Sequence, residues 1–538
     1  MRKVLLCVIC WFMCLVSTLH CYAIIESAEH DVLLISSKAG DIRSADIEIA
    51  YRKDDEGKIH GPIDYTMDGE KLFILNNTDN TILQYQEGQL RDTIALNDYG
   101  VVGINIAYDH ERLYVYGNDQ KVYGIREDTC NVLLDLKEYG FPEAVSDFKI
   151  IKEYLYIGNP FTQPETTYRF EIMEEEIIEN PEIFTGYFAD ENTLVTEENV
   201  GEGAGRKKKI TITYIDINEC ESFLVDTEFY LDGVRYLGKN HEGNHIIYVI
   251  ESRERKDFTS VTSETLRIVG TSGKVISIRQ LNQQKKYIPR QYRMIQGEIV
   301  ALNCLDDSVQ ACIIRNENFC SLNTYVSPLS KMNETNCIIE EIVDLPVRER
   351  NLATGTISRD DIMNTAEEYR TSFRWSCEES NIASMTNYTK PRYINGAGEY
   401  TNMPYCWGGW TKTDEFQTDM GIHGRAGNIN CTTTGRVSST YGVDCSGYVS
   451  RCWNLSTKHS TSTLGNVAST ITFSSIKKGD ALVISGYHVM LFSHESGGMY
   501  YTYEATKTNS YDKVVYTCYS VSEIKNSGYT PIRYDNVE

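Results

Sequence analysis

A short apolar run recurs at nearly constant spacing in the first third of the chain. Leu72-Phe73-Ile74 in DGEKLFILNN returns as Leu113-Tyr114-Val115 in DHERLYVYGN and as Leu155-Tyr156-Ile157 in IKEYLYIGN, at spacings of 41 and 42 residues. Between about residues 31 and 345, short apolar runs alternate with Asp, Asn and Gly turns and show hardly any helical periodicity. This pattern is typical of many short antiparallel strands. The repeat therefore predicts that one small sheet is built several times along the chain.

Weaker copies of the run follow at Thr193-Leu194-Val195, Ile247-Tyr248-Val249 and Ile299-Val300-Ala301. A period of about 40 residues belongs to the blades of a β-propeller. Strands expected near residues 32–36 and 46–50 would supply either a further blade or the strand that closes the ring. We predict an all-β propeller of six or seven blades over residues 24–345. A β-sandwich or another solenoid is the alternative, because only the first three copies align cleanly.

The N-terminus resembles an export signal. Arg2 and Lys3 precede an apolar run over residues 4–19, and Cys21-Tyr22-Ala23 offers a cleavage site with a small residue. These features predict a signal peptide over residues 1–23 and a secreted, extracellular protein, free or associated with the cell wall. A retained membrane anchor is the alternative, since the run approaches the length of a bilayer span. After signal cleavage we expect no membrane span.

Net charge and cysteine content limit the classes of partner and the disulfide bonds that we expect. The formal charge of −24 and the pI near 4.9 argue against nucleic acid, which is bound through basic surfaces. Of 16 cysteines, four lie in the predicted signal. If one of the remaining twelve stays a thiol, the others cannot all pair, so we expect a mixture of thiols and disulfides.

A second domain is predicted after a linker at residues 346–357, where a charged VRER run interrupts the strands. Ser358 and Asp361 form a capping-box pattern that marks the start of a helix. An apolar face at helical spacing follows: Ile362, Ala366, Tyr369 and Phe373. This domain would occupy residues 358–538.

Within that domain, GVDCSGYVSRCW places Cys445 just ahead of residues that share one helical face. A thiol at the start of a helix lies at the positive end of the helix dipole, which favours the thiolate and lowers the thiol pKa. Cys445 is therefore a candidate nucleophile. An ordinary buried cysteine is the alternative.

A base follows in the segment IKKGDALVISGYHVMLF, where His488 opens a predicted hairpin. With Ser496 at the centre of the turn, His488 faces Glu504 across the strands HVMLFS and MYYTYEA. A carboxylate there would accept the second imidazole N–H and stabilise the imidazolium. A one-residue bulge would instead turn Tyr503 inward and leave Glu504 as a surface acid.

Taken together, Tyr405-Cys406-Trp407-Gly408-Gly409, Asp444-Cys445-Ser446-Gly447, Gly479-Asp480 and His488-Val489 occur in an order that resembles the NlpC-type cysteine peptidases. These papain-like enzymes cut bacterial cell-wall peptides. The resemblance covers about residues 358–538 and implies an α+β papain-like fold.

The resemblance implies that Cys445 is the nucleophile, His488 the base and Glu504 the third polar residue, a position where that family often has histidine. It also implies a set of substrate-binding or oxyanion residues: Tyr405, Trp407, Asp444 and Ser446. Asp444 and Ser446 would receive the free amine of the substrate. The alternatives are aromatic packing for Tyr405 and helix capping for Asp444 and Ser446.

The stretch from Trp410 to Val443 is longer than the family pattern and rich in Gly and Thr. It predicts a loop over the cleft that alters specificity. Although His423 and Cys431 lie within it, no paired ligand spacing accompanies them, so we predict no metal site and no cofactor.

The expected function is a secreted cysteine peptidase that hydrolyses amide bonds in peptidoglycan stem peptides, by resemblance a γ-D-glutamyl-diamino-acid endopeptidase, through a thioester on Cys445. The propeller would be a targeting module that binds the wall or a protein ligand. Two alternatives stay open. One is a propeller-based binding or adhesion protein with a vestigial peptidase domain, and the other is an amidase or acyltransferase on the same scaffold.

Overall fold

The computed structural model describes residues 31–41, 48–54, 56–109, 111–173, 176–200, 207–281, 291–315, 319–332, 337 and 356–538. The predicted signal peptide (residues 1–23) and residues 346–355 of the predicted linker lie outside the described residues. In the described ranges, no helix is long and apolar enough to cross a membrane.

The N-terminal part consists of small sheets in succession, preceded by β1 (Val32–Asp41), β2 (Ile49–Lys53) and β3 (Ile59–His60). The first sheet contains β4 (Pro62–Asp68), β5 (Lys71–Asn76), β6 (Thr81–Gln86) and β7 (Gln89–Ala95). The second contains β8 (Gly103–Asp109), β9 (Arg112–Gly117), β10 (Lys121–Arg126) and β11 (Thr129–Asp135). In both sheets consecutive strands pair antiparallel.

Three further sheets follow the same antiparallel plan. The third contains β12 (Asp147–Ile151), β13 (Tyr154–Asn159), β14 (Thr166–Met173), β15 (Glu176–Ile177) and β16 (Glu182–Thr185). The fourth contains β17 (Tyr187–Phe188), β18 (Thr193–Val200), β19 (Lys207–Tyr214) and β20 (Glu219–Val225). The fifth contains β21 (Tyr230–Lys239), β22 (His245–Glu254), β23 (Ser260–Val269) and β24 (Val275–Gln280).

The last sheet closes the ring. It contains β25 (Tyr292–Ile295), β26 (Glu298–Cys304) and β27 (Ser308–Ile313), and β27 pairs antiparallel with β1. β2 then pairs parallel with β1, and β28 (Cys320–Ser321) adds to β24. Arg293 of β25 forms an ion pair with Asp64 of β4, which joins the last sheet to the first. β1 is therefore the closing strand and not part of a seventh blade.

Over the residues that the structure describes, the strand order is that of a propeller with six sheets, within the predicted range of six or seven. All six sequence repeats lie on the second strand of a sheet, namely β5, β9, β13, β18, β22 and β26. The first strand of every sheet lines a central cavity of about 450 Å³. The prediction of an all-β, propeller-like N-terminal part is confirmed.

The C-terminal part combines helices with one main sheet. It begins with α1 (Arg359–Glu367), a π-turn (Glu368–Ser372), β29 (Arg374–Cys377), β30 (Gly398–Thr401), α2 (Thr413–Met420), β31 (Arg425–Ala426), β32 (Thr440–Tyr441) and α3 (Cys445–Cys452). It continues with β33 (Ala468–Thr470), β34 (Ala481–Ile484), β35 (His488–Ser496), β36 (Met499–Thr506), β37 (Lys513–Ser520), α4 (Val521–Asn526) and β38 (Thr530–Tyr534). The main sheet is antiparallel, in the order β33-β38-β34-β35-β36-β37.

Two helices of this part begin where the sequence predicts. Ser358 caps α1 by accepting a hydrogen bond from the Asp361 N–H, at 3.0 Å, and Ile362 and Ala366 are buried on the helix. α3 starts at Cys445, and its apolar face lies in one core with the strands β35 and β36. The helix that carries Cys445 therefore packs on the sheet that carries His488.

The two parts share an interface with an apolar core and buried charges. Ile250 of the propeller packs in one cluster with Phe473, Met490 and other residues of the C-terminal part. Ion pairs that cross the interface include Arg370 with Glu143 at 3.0 Å, Lys208 with Glu495 at 2.9 Å, and Lys525 with Asp232 at 2.5 Å. Their side chains are at most 4% exposed. Since a buried charge is costly unless paired, these pairs fix how the parts dock.

Candidate active site

Cys445 is the first residue of α3, and the residue before it caps the helix. Asp444 Oδ1 accepts hydrogen bonds from the Gly447 N–H at 2.6 Å and from the Ser446 hydroxyl at 3.0 Å. The thiol residue is 6% exposed. Because the first N–H groups of a helix have no partners within the helix, the Cys445 thiol lies at the positive end of the α3 dipole.

His488 and Glu504 are fully buried, and His488 Nε2 lies 2.6 Å from Glu504 Oε2. The contact forms in a different register from the predicted one. β35 and β36 pair Leu491 with Tyr503, a bulge lies at Ser493, and the turn is Gly497-Gly498. Extending this register places Thr506 opposite His488, so the predicted direct pairing of His488 with Glu504 is wrong. Glu504 is instead a diagonal neighbour on the same face, within reach of a long side chain.

The Glu504 carboxylate accepts four hydrogen bonds, including the one from His488. Thr517 and Tyr519 donate to Oε1, each at 2.6 Å. The fourth donor is Lys58 of the propeller, whose Nζ lies 2.5 Å from Oε2. Burial would raise the pKa of Glu504, but the Lys58 charge and the His488 hydrogen bond hold it below its usual range. Glu504 is therefore an ionised acceptor for the imidazole.

Glu56, also from the propeller, approaches the other ring nitrogen. Its Oε2 lies 3.7 Å from His488 Nδ1 and accepts a hydrogen bond from the Thr506 hydroxyl at 2.5 Å. Its Oε1 accepts from the Lys507 N–H at 3.2 Å, and the residue is 4% exposed. Within the described ranges, Nδ1 has no hydrogen-bond partner, and the Cys445 thiol is among the groups that raise the pKa of this imidazole.

The charges around His488 favour the imidazolium. Burial has the largest effect on the pKa of His488 and lowers it, and Lys58 lowers it further. The Glu56 charge, the Cys445 thiol and the Glu504 hydrogen bond outweigh both and raise the pKa of His488 to about 10. At neutral pH the ring therefore holds a proton on each nitrogen, and it can stabilise a thiolate at Cys445.

Tyr405 lies at this site and Trp407 lies farther along the same segment. Tyr405 is 1% exposed, and its pKa is raised first by burial and then by Glu56, Cys445 and Asp444. The phenol is thus a neutral hydrogen-bond donor close to the thiol. Trp407 donates a hydrogen bond from Nε1 to the Thr433 carbonyl at 2.8 Å and so holds the segment around Thr433 in place.

Asp444 and Ser446 are engaged within the chain. Lys458 Nζ lies 3.0 Å from Asp444 Oδ2 and 3.2 Å from Ser446 Oγ, and the Gly408 N–H donates to Asp444 Oδ2 at 3.0 Å. An ammonium of the protein itself therefore occupies the pair to which the resemblance assigns a substrate amine. The observed contacts match the alternative interpretation of helix capping.

The stretch between Trp410 and Val443 is more ordered than the predicted loop. It contains α2 and the paired strands β31 and β32. Cys431 Sγ accepts a hydrogen bond from Lys507 Nζ at 2.8 Å, whereas His423 is exposed. No group of three metal-ligating side chains occurs in the part of the chain that the structure describes.

Sequence reasoning missed the propeller's contribution to this site. Lys58 and Glu504 are 446 positions apart, and the turn DDEGK that carries Glu56 and Lys58 looks like any charged surface turn. Thr517 and Tyr519 were also missed. They lie two residues apart on β37, the strand that follows β36 and pairs with it. Because β36 carries Glu504, the next strand along the chain could have pointed to these two residues.

No family model matches the sequence, and no curated protein is significantly similar to it. Among solved structures, the WD40 β-propeller domain of Doa1 has 11% identity and a TM-score of 0.27, with 53% of this chain and 93% of that chain covered. BamB from Moraxella catarrhalis has 10% identity and a TM-score of 0.28, with 53% and 100% covered. The Cps50 (Swd1) β-propeller domain of Myceliophteria thermophila has 9% identity and a TM-score of 0.29, with 49% and 92% covered. Scores this low support no inference about function.

Proposed function

We propose that this protein is a cysteine-dependent amide hydrolase with a papain-like C-terminal domain. One observation carries the proposal: Cys445 starts a buried helix that packs on the sheet of His488, its thiol helps to raise the pKa of His488, and the buried Glu504 carboxylate binds Nε2 of that imidazole. Nucleophile, base and orienting acid are the parts that covalent acyl transfer requires.

The reaction would run in two steps. The Cys445 thiolate attacks an amide carbonyl carbon, and His488 donates its Nδ1 proton to the leaving amine as the C–N bond breaks. A thioester on Cys445 and a free amine result. Water then attacks the thioester, His488 accepts a proton from it, and the acid product leaves with the thiolate restored. Glu504 keeps the imidazole oriented through both steps.

The negative oxygen of the tetrahedral intermediate needs donors. Backbone N–H groups at the start of α3 have no carbonyl partners within the helix and would donate hydrogen bonds to this oxygen. Tyr405, a buried and neutral phenol among Cys445, Glu56 and Asp444, is a further donor. The same residues would hold the carbonyl in place before attack.

The substrate class rests on the motifs around Tyr405, Cys445 and His488, which resemble those of the NlpC-type peptidases. We therefore assign peptidoglycan stem peptides as the substrate, with a γ-D-glutamyl-diamino-acid bond as the scissile bond, and place the enzyme outside the cell. The propeller would bind the wall or a protein ligand and bring the hydrolase to its substrate.

Access to the thiol is limited. Cys445 is 6% exposed, and Glu56 covers the imidazole side of the site. A peptide substrate must therefore displace part of this cover before its carbonyl reaches the sulfur. The same burial favours a second candidate function, a propeller-based binding protein whose hydrolase domain is vestigial, with the cavity of about 450 Å³ as its binding site.

The test is mass spectrometry of purified muropeptides incubated with the reduced protein, with Cys445→Ala and with Cys452→Ala. Cys452 is a matched control, because it is a buried thiol at the other end of the same helix. New peptide fragments from the wild type and Cys452→Ala, but not from Cys445→Ala, would support the proposal and name the bond. Intact muropeptides from all three would overturn the peptidoglycan assignment, and fragments from Cys445→Ala would overturn the role of Cys445.

A further inference from the structure

A turn of the propeller forms one wall of the candidate active site. It runs between β2 and β3, and Lys58 near its end reaches across the interface to Glu504 Oε2 at 2.5 Å and to the Tyr519 hydroxyl at 2.6 Å. Tyr519 in turn donates to Glu504 Oε1 at 2.6 Å. Lys58 therefore contacts both the carboxylate and one of its other donors.

This contact balances charge at a position that is largely shielded from water. The side chain of Lys58 is 8% exposed and that of Glu504 is fully buried. A carboxylate taken out of water favours its neutral form unless a positive charge lies beside it. A neutral Glu504 would no longer be an anionic acceptor for His488.

The turn is held in place from both sides. Asp54 Oδ1 accepts hydrogen bonds from the Glu56 and Lys58 N–H groups, at 3.0 and 2.9 Å, and Asp54 Oδ2 lies 2.8 Å from His60 Nε2. On the other side, Thr506 binds the Glu56 carboxylate. The propeller thus presents the lysine in a fixed geometry, at little further cost in entropy.

We propose that Lys58 is a positioning residue that the propeller supplies to the hydrolase centre, where it keeps Glu504 ionised and directed at His488. The inference rests on the proposed function. It makes the propeller part of the catalytic apparatus, in addition to any binding role, because the site is complete only when the two parts are docked.

The chain offers a matched control for Lys58. Lys525 forms another buried ion pair across the same interface, with Asp232 at 2.5 Å, and its side chain is fully buried. It also donates to the Ser252 hydroxyl at 2.8 Å. Replacing Lys525 by Met removes a buried interface charge just as replacing Lys58 does, but away from Cys445 and His488.

The experiment compares Lys58→Met, Lys58→Arg and Lys525→Met with the wild type in two assays. One measures kcat and KM on purified muropeptides, and the other measures the rate at which iodoacetamide alkylates Cys445 between pH 4 and 10, read by mass spectrometry of the Cys445 peptide. We expect Lys58→Met to lower kcat about 10- to 100-fold with KM little changed, part of what acid–base catalysis contributes. In Lys58→Met, the pH below which kcat and the alkylation rate fall should be higher than in the wild type, because Glu504 without its counter-ion takes up a proton more easily.

Lys58→Arg retains the charge and should recover most of the rate, while Lys525→Met should leave both profiles in place. Thermal unfolding identifies variants that remain folded. Glu504→Gln supplies a further test, since Lys58→Met should have little additional effect in that background if the lysine acts through Glu504.

Overlapping pH profiles for folded Lys58→Met and the wild type would overturn the proposal, as would additive effects of Lys58→Met and Glu504→Gln or an equal loss in Lys525→Met. The alkylation assay needs no substrate. A shifted alkylation profile together with inert muropeptides would therefore uphold the role of Lys58 and overturn the peptidoglycan assignment.

Discussion

Glu56 Oε2 lies 3.7 Å from Nδ1 of His488, so the imidazole has a carboxylate near each of its ring nitrogens. One carboxylate comes from the sheet that carries His488 and the other from the propeller. The two differ in what they do. Glu504 Oε2 lies 2.6 Å from Nε2, whereas Glu56 lies on the Nδ1 side and raises the pKa of the imidazole.

Removing the Glu56 charge should lower the pKa of His488. The Glu56 charge is one of the influences that raise this pKa to about 10, so in Glu56→Gln the imidazolium should lose its proton at lower pH than in the wild type. NMR titration of ¹³C-labelled histidine, assigned with His488→Gln, measures the change. Glu87→Gln is the control, because Glu87 is an exposed propeller acid. An unchanged midpoint for His488 would show that Glu56 does not influence the ring.

A side chain at Gly233 should disturb the docking of the two parts. A Cβ atom there would lie 2.3 Å from Gly498 Cα, and backbone at this distance cannot turn aside as a flexible side chain can. We expect Gly233→Ala to destabilise the protein by about 1–3 kcal/mol, a typical cost of overpacking. Chemical denaturation measures this cost. Gly465→Ala, whose Cβ meets nothing within 4 Å, should be close to neutral. Equal midpoints for the two variants would contradict the tight approach of Gly233 to Gly498.

Protonation of His494 should weaken the fold in mild acid. Burial, followed by the charge of Lys208, lowers the pKa of His494 to about 4. Between pH 6.5 and 4 the unfolded chain therefore binds more protons at this residue than the folded chain, and stability falls as the pH drops. His494→Gln should lose less stability than the wild type between pH 7 and 4.5, measured as the midpoint of urea unfolding.

The centroid of the His494 ring also lies 4.8 Å from the centroid of the Tyr501 ring, so His494→Gln is expected to be less stable than the wild type at pH 7. The informative quantity is the dependence on pH. His423→Gln, which changes an exposed histidine, should follow the wild type. Parallel curves for the wild type and His494→Gln would rule out this histidine as the source of acid sensitivity.

The sequence predicted features that repeat or lie close together in the chain. The six apolar runs fall on the second strand of six sheets, because a strand buried in each sheet imposes the same pattern at each repeat. Helix capping at Ser358 and Asp444 could be predicted for a similar reason, since the partner N–H groups lie within three residues. Local chemistry determines such features.

Two kinds of feature were beyond the sequence. A bulge was an open alternative, but its position at Ser493 and the short turn at Gly497-Gly498 were not predicted. Together they changed the register of the hairpin and still left His488 and Glu504 on one face. The Lys58–Glu504 pair depends on how two separately patterned parts dock, and nothing in a charged surface turn indicates its distant partner. Predicting this ion pair requires knowing how the two parts dock.

The pairing of β1 with β27 has a consequence for the order in which the protein is made. Val32, at the start of β1, pairs with Ile313 at the end of β27. Synthesis delivers β1 before β27, so the edge of β1 stays unpaired until nearly the whole propeller has been made. An unpaired edge strand is a template for other chains. We infer that this edge must be shielded until β27 has been made, and that the candidate active site assembles only after the ring has closed.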